Sequence, residues 1–410
     1  MSNKQDQQKV LVLLGAGADQ LFAIKTGKAL GYFVLVFDSN PASPGFDLAD
    51  DSAVVSTRDV LGIISYLKTY RYFSDIAGIT VMGSDIPEIV AEVAQFLKTP
   101  ALSLTAAIKA CHKYKMKQCF AEQGVPIPAF RLLADENDLA VFIEQQGLPV
   151  VIKPVDRSGA RGVFLLDGRG DWRSLYQRSL AESFCGQVLA EEYLLGLQLS
   201  TESIIKNSAV ITAGIADRNY EKLAAFAPHI IENGGWVPSV LSSEQLSQVD
   251  SLISKASKAL GIRDGIIKGD LVLTAEGPKI IEVAARLSGG DFSESLIPLG
   301  YGVNIVEAGI RLATGEEFEL SSYTPEPQLC VANRYFFPPP GRLLAIHGVE
   351  LVRQQSWVQK LAFSYEVGCT IPPLRSHADR FGMFIVQGKN RSQVEERIQW
   401  VYETIRIEIA

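Results

Sequence analysis

The chain has 410 residues, more than one hydrophobic core organises, so two or three domains are expected. With 47% apolar residues, 21% charged residues and a net charge of -7, it reads as an ordinary globular protein and not as a nucleic-acid binder, which needs a basic face. Five cysteines without a CxxC pair, a polar N-terminus unlike a signal peptide and no apolar run of membrane-spanning length point to a reducing cytoplasm, with no membrane partner.

Residues 9–17, KVLVLLGAG, form a strand ending in glycines; 18–30 follow as a helix, 32–37 as a buried strand closing at Asp38, 76–80 as another strand and 86–97 as a helix. Strands separated by helices imply a parallel sheet covered on both faces, a doubly wound domain over residues 1–100. Residues 109–123 read as a helix stopped by Gly124 and Pro126. A helix at 136–146, the strand PVVIKP, a glycine-rich turn and a strand into VLAEEYL make 125–195 an α+β unit of its own. Strand candidates at 203–213 and 269–283 complete an α+β section over 101–320. Proline-marked breaks at 324–328 and 338–342 lead into a small C-terminal α+β lobe, 321–410, with a helix at 391–403.

Four segments carry candidate chemistry. GAGADQ, residues 15–20, with Asp38 about twenty residues on, suggests a dinucleotide turn, but Gln20 stands where the third glycine belongs. In VVIKPVDRSGARGV, Lys153 ends an apolar strand and precedes Ser158, Gly159, Arg161 and Gly162; glycines let backbone amides approach phosphate oxygens, and a mobile loop can close over them. The lysine precedes the glycines, so this is not a Walker loop. VLAEEYLLG ends a strand at Glu191 and Glu192 and offers backbone groups to an adenine edge, or is an edge strand with two solvated acids.

In KGDLVLTAEGPKIIEVAARLSGG, Asp270 and Glu282 flank the turn AEGP at similar distances, so a hairpin brings both carboxylates near its open end. Two hard oxygen ligands side by side suit Mg²⁺, which binds a few carboxylates together with phosphate oxygens. Arg286 follows four residues on and can meet a transferred phosphoryl group, and Gly289 and Gly290 form a turn able to receive an anion. His112, His229, His347 and His377 are scattered without metal-ligand spacing.

In this order the elements resemble the ATP-grasp superfamily over nearly the whole chain. The resemblance implies ATP between two α+β subdomains, with Lys113 and Lys153 on its phosphates, residues 158–162 as a covering loop, and Glu191, Glu192, Tyr193 and Leu194 at the adenine. It implies Mg²⁺, or Mn²⁺ in its place, on Asp270 and Glu282, with Arg286 and Lys153 as the catalytic cations. The family often has asparagine two residues after the second metal-binding glutamate; Ala284 stands there. Its ribose-binding acid is replaced around Gln198 and Leu199, and Glu202 is the substitute candidate. Within the superfamily, HIIENGGWVPS resembles the amino-acid ligase and carbamoyl-phosphate-synthase-like branch, which would set Glu232, Trp236, Ser239, Arg286, Gly289 and Gly290 at the substrate. The implied reaction activates a small carboxylate as an acyl phosphate and passes it to an amine, in an enzyme of a kind that is often a homodimer. Phosphorylation of bicarbonate, and a nicotinamide-binding or degenerate nucleotide-binding module, are the competing readings.

Overall fold

The computed structural model describes residues 8–410. In the first domain, strands β1 (Val10–Leu14), β2 (Phe33–Asp38), β3 (Asp51–Val54) and β4 (Ile76–Val81) form a parallel sheet in the order β3-β2-β1-β4, with helices α1 (Leu21–Ala29), α2 (Val60–Lys68) and α3 (Pro87–Leu97). The strands are apolar on both sides because both are covered: Val10, Val12, Leu14, Leu35 and Phe37 pack into one core, and Leu11, Leu13, Val34 and Val36 into another.

Residues 109–123 are not one helix. They divide between α4 (Leu104–Cys111) and α5 (Lys113–Glu122) at His112, whose backbone is extended (φ -100°, ψ 105°) and whose Nδ1 accepts the Lys115 N–H. The break makes Lys113 the first residue of α5 and turns it toward the cleft described below.

The glycine-loop unit comprises β5 (Phe130–Leu133), α6 (Glu136–Gln146), β6 (Val150–Pro154), β7 (Phe164–Leu166), α7 (Trp172–Glu182) and β8 (Val188–Glu192), an antiparallel sheet ordered β5-β8-β6-β7. Alternation along the strands divides its faces. Val150, Ile152, Val188 and Ala190 pack under the two helices with Leu139, Phe142, Leu175 and Tyr176, while Val151, Lys153 and Glu191 face the cleft.

Next come β9 (Leu197–Lys206), β10 (Ala209–Arg218), α8 (Leu223–Phe226), β11 (Gly235–Val237), α9 (Ser243–Leu260), β12 (Gly265–Thr274), β13 (Gly277–Ala284), α10 (Ile297–Tyr301) and α11 (Ile305–Thr314). The strand candidate at 203–213 is in fact the hairpin β9–β10. Asn207 and Ser208, both at positive φ (51° and 66°), form its turn without the glycine that would signal it, and Asp264 accepts the Asn207 N–H.

The C-terminal segment holds β14 (Cys330–Phe336), β15 (Gly341–His347), α12 (Val349–Arg353), β16 (Val358–Phe363), β17 (Thr370–Ile371), β18 (Gly382–Gly388), α13 (Arg391–Thr404) and β19 (Arg406–Ile409). Its strands β14, β18 and β16 extend the main sheet, which runs β13-β12-β9-β10-β11-β14-β18-β16, while β17, β15 and β19 form a small sheet beside it. The first domain is tied to the main sheet where Met82 bridges Leu287 and the Gly83 N–H bonds the Leu287 carbonyl at 3.0 Å. Among the described residues no helix is long and apolar enough to cross a membrane.

Candidate active site

The glycine-loop unit and the main sheet face each other across a cleft. On the first wall, Glu191 is buried between two lysines: Lys153 Nζ lies 2.9 Å from one carboxylate oxygen and Lys117 Nζ 3.2 Å from the other. Lys153 and Glu191 meet because β6 and β8 pair antiparallel with Val151 opposite Glu191, which leaves both side chains on the cleft face.

On the second wall, Asp270 and Glu282 are direct cross-strand partners. Thr274 pairs with Gly277 across a two-residue loop, tighter than the AEGP turn read from the sequence, and an unbroken ladder would then set Asp270 opposite Ile281. A bulge at Ile281 shifts the register by one residue, so that Ile281 and Glu282 both line the cleft and the two carboxylates share a face. Cations surround them. Lys113 Nζ is 3.2 Å and Lys153 Nζ 4.0 Å from Glu282, while Asp270 meets Lys268 and, at 3.2 Å, Arg218. Burial works against ionisation of Glu282, but Lys113, Lys153 and Lys268 outweigh it and hold the carboxyl below the usual carboxylate range. Two hard oxygen donors side by side fit Mg²⁺ when phosphate oxygens complete its shell.

Arg286 closes the centre, its guanidinium bound by Asp85 of the first domain at 2.7 Å. The glycine loop, 155–163, lies over this region. Lys113 Nζ donates to the Arg157 carbonyl at 2.8 Å, and the His377 N–H donates to the Gly159 carbonyl at 3.0 Å, so α5 and the C-terminal segment both hold the loop. His377 Nε2 in turn accepts the Glu232 N–H; burial, then Arg380 and Arg218, keeps the ring's pKa well below the ordinary histidine value, so it is neutral.

The cleft branches. A cavity of about 220 Å³ is lined by Lys113, Lys153, Ser158, Glu191, Tyr193 and Ile281 among others, with Glu192, Leu194 and Gln198 at the same end. A second, of about 500 Å³, runs from Arg286 past Glu232, Gly289 and Gly290 toward the first domain. Arg161 lines this second branch as well.

Four expected residues lie elsewhere. Glu202 is on the same face of β9 as Gln198 and Ser200 but is wholly buried beneath residues 288–293, where its carboxylate accepts the Ser288 N–H and the Ser293 hydroxyl; no ribose reaches it. Trp236 packs into the C-terminal core between the Arg334 and Arg391 guanidinium groups, and the Ser239 hydroxyl is bound by Asp217, so neither lines the cleft. Gly162 serves packing: at φ 70° a Cβ would stand 2.8 Å from Pro154 Cγ. In the turn after β1, Gln20 fills the place of a pyrophosphate, its amide bonded to the Met82 carbonyl at 2.7 Å and its side chain against Gly15 and Gly17, while Asp38 accepts the Ala16 N–H. Sequence reasoning missed Lys117, Asp85, Arg218 and Lys268. Only Lys268, two residues before Asp270 on one strand face, had a local signal.

Residues 110–290 match the ATP-grasp domain model, and residues 334–410 match the L-amino acid ligase C-terminal domain 2. Residues 110–290 thus form an ATP-grasp domain. An uncharacterized protein of Sinorhizobium fredii is 25% identical over 390 residues, 90% of this chain and 77% of that protein. A D-alanine–D-alanine ligase of Aromatoleum aromaticum is 28% identical over 209 residues, 50% of this ATP-grasp chain and 65% of the relative. The fold is shared with an L-amino acid ligase from Bacillus licheniformis at a TM-score of 0.84 and 20% identity, covering 98% and 99% of the two chains.

Proposed function

We propose that this ATP-grasp enzyme is an ATP-dependent ligase that activates a small carboxylate as an acyl phosphate and couples it to the amine of an amino-acid-like acceptor. The observation that carries the reading is the convergence of Lys113 and Lys153 with the opposed Asp270–Glu282 pair across one cleft. ATP lies with its adenine end along 191–194 and its phosphates toward Lys113 and Lys153, beneath Ser158 and Gly159. Asp270 and Glu282 hold Mg²⁺, which when bound neutralises charge on the triphosphate. Lys153 and Arg286 steady the phosphoryl group as a carboxylate oxygen attacks the γ-phosphorus; positioning and electrostatics supply most of the rate. The loop keeps water from the acyl phosphate until the amine attacks its carbonyl and phosphate leaves. The larger branch, lined by Arg218, Arg286 and Arg380 and by Asp19, Glu232 and Asp291, presents both signs of charge and suits a zwitterion. Five unpaired thiols accord with a cytoplasmic enzyme.

ADP release measured over paired carboxylic acids and amino acids tests the reading. A pair-dependent signal abolished by Lys153→Ala and by Glu282→Ala, in variants that keep the native circular dichroism, is the expected result. Full activity in both variants overturns it, and so does turnover that needs bicarbonate and ignores amino acids.

A further inference from the structure

Lys117 has no place among the residues that reach ATP, yet it is fully buried: the residue is 0% exposed, on the inward face of α5. Its ammonium meets Glu191 Oε1 at 3.2 Å and the Ile280 carbonyl at 3.4 Å. Despite that approach, Glu191 Oε1 accepts no hydrogen bond among the described residues, so the pair is held by charge more than by directed bonding. Glu191's other oxygen holds Lys153 at 2.9 Å. A buried carboxylate thus sits between two buried ammonium groups, of which only Lys153 lines the cleft.

We propose that Lys117 is a positioning residue that neutralises Glu191 from behind, so that the positive charge of Lys153 stays available to the nucleotide phosphates. The three groups sum to one net positive charge. Without Lys117 the sum is zero, and Glu191, 2.9 Å away in a poorly solvated site, cancels the charge of Lys153 seen from the cleft. Burying a lysine without a solvent contact is costly, and burial draws the Lys117 ammonium down to about 8, with Glu191 pulling it back up; the group is charged at neutral pH. This inference rests on the ATP reading of the cleft, since it concerns the strength of the phosphate contact made by Lys153.

Steady-state kinetics in ATP, with the full chain, test it in four forms. Lys117→Gln keeps a donor toward the Ile280 carbonyl but removes the charge; it is expected to raise the KM for ATP about tenfold and to lower kcat by far less than Lys153→Ala does, since a weakened Lys153 charge acts on both the bound and the reacting phosphates. Lys117→Arg, which keeps the charge, is expected to lie close to the wild type. Lys117→Gln combined with Glu191→Gln removes the competing carboxylate and is expected to bind ATP more tightly than Lys117→Gln alone. Lys117→Met repeats the neutral arm if the glutamine variant does not fold. A merely structural lysine predicts the reverse order, with the double variant worst. An unchanged KM in Lys117→Gln, or no recovery in the double variant, overturns the proposal. If instead the wild type shows no ATP-dependent turnover and Lys153→Ala changes nothing, it is the ATP reading that fails.

Discussion

The turn after β1, residues 15–20, and the loop after β6, residues 155–163, both place glycines at the end of a buried strand, and from composition alone either could cradle phosphate. Their surroundings separate them. The first turn is occupied by the protein's own Gln20 and Asp38, and Asp19 stands near Asp291 with Lys360 as the nearby cation. Burial, then Asp291, raises the Asp19 carboxyl above its usual range, and an anion gains nothing there. The second loop lies over Lys113, Lys153 and Lys268. A glycine turn reports that a backbone can approach a phosphate; the side chains opposite decide whether one is welcome.

Substitutions on either side should break or sharpen this contrast. At the glycine-loop side, Lys153→Ala and Glu282→Ala should each lower turnover by at least about 100-fold, the first through loss of a cation aimed at the reacting phosphoryl group and the second through loss of a metal ligand. Steady-state ADP release checks this. At the first turn, Gln20→Ala should leave the Met82 carbonyl without its partner and cost about 1–3 kcal/mol in urea unfolding, without creating affinity for NAD in a thermal-shift assay. Gly162→Ala should cost about 1–2 kcal/mol through left-handed strain and should raise the KM for ATP, because Pro154 and Glu182 block the added methyl group.

The smallest effect concerns pH. Burial, then Asp291, pushes Glu294 up to about 7, above its unfolded value. A raised carboxyl contributes stability that is present in acid and lost as pH rises through about 7. Glu294→Gln should flatten that decline between about pH 5 and 8 in thermal unfolding, by about 1 kcal/mol, because water screens much of the shift at this partly exposed carboxyl.

The parallel first domain was legible because its strands are apolar on both faces, and the β12–β13 hairpin because a glycine-proline turn separates two strand patterns. What brings Asp270 opposite Glu282 was not legible. Strict alternation outward from the loop pairs Asp270 with Ile281, and only the bulge corrects it; a bulge has no composition signal when the extra residue is an isoleucine among isoleucines. Lys117 was hidden for another reason. Its i, i+4 relation to Lys113 reads as a solvated basic stripe on α5, and only the tertiary approach of β8 shows that Glu191 covers it. Glu202, Trp236 and Ser239 misled because facing the right side of a strand, or neighbouring Glu232 in sequence, does not reveal what packs above them.

The convergence of two carboxylates and a lysine-bearing strand on one metal–nucleotide pair is tested most directly by electron paramagnetic resonance of Mn²⁺ added with a non-hydrolysable ATP analogue. The wild type is expected to bind Mn²⁺ only with the nucleotide, and Asp270→Asn and Glu282→Gln to leave it free in solution. Nucleotide-dependent Mn²⁺ binding undiminished in both variants would contradict the account.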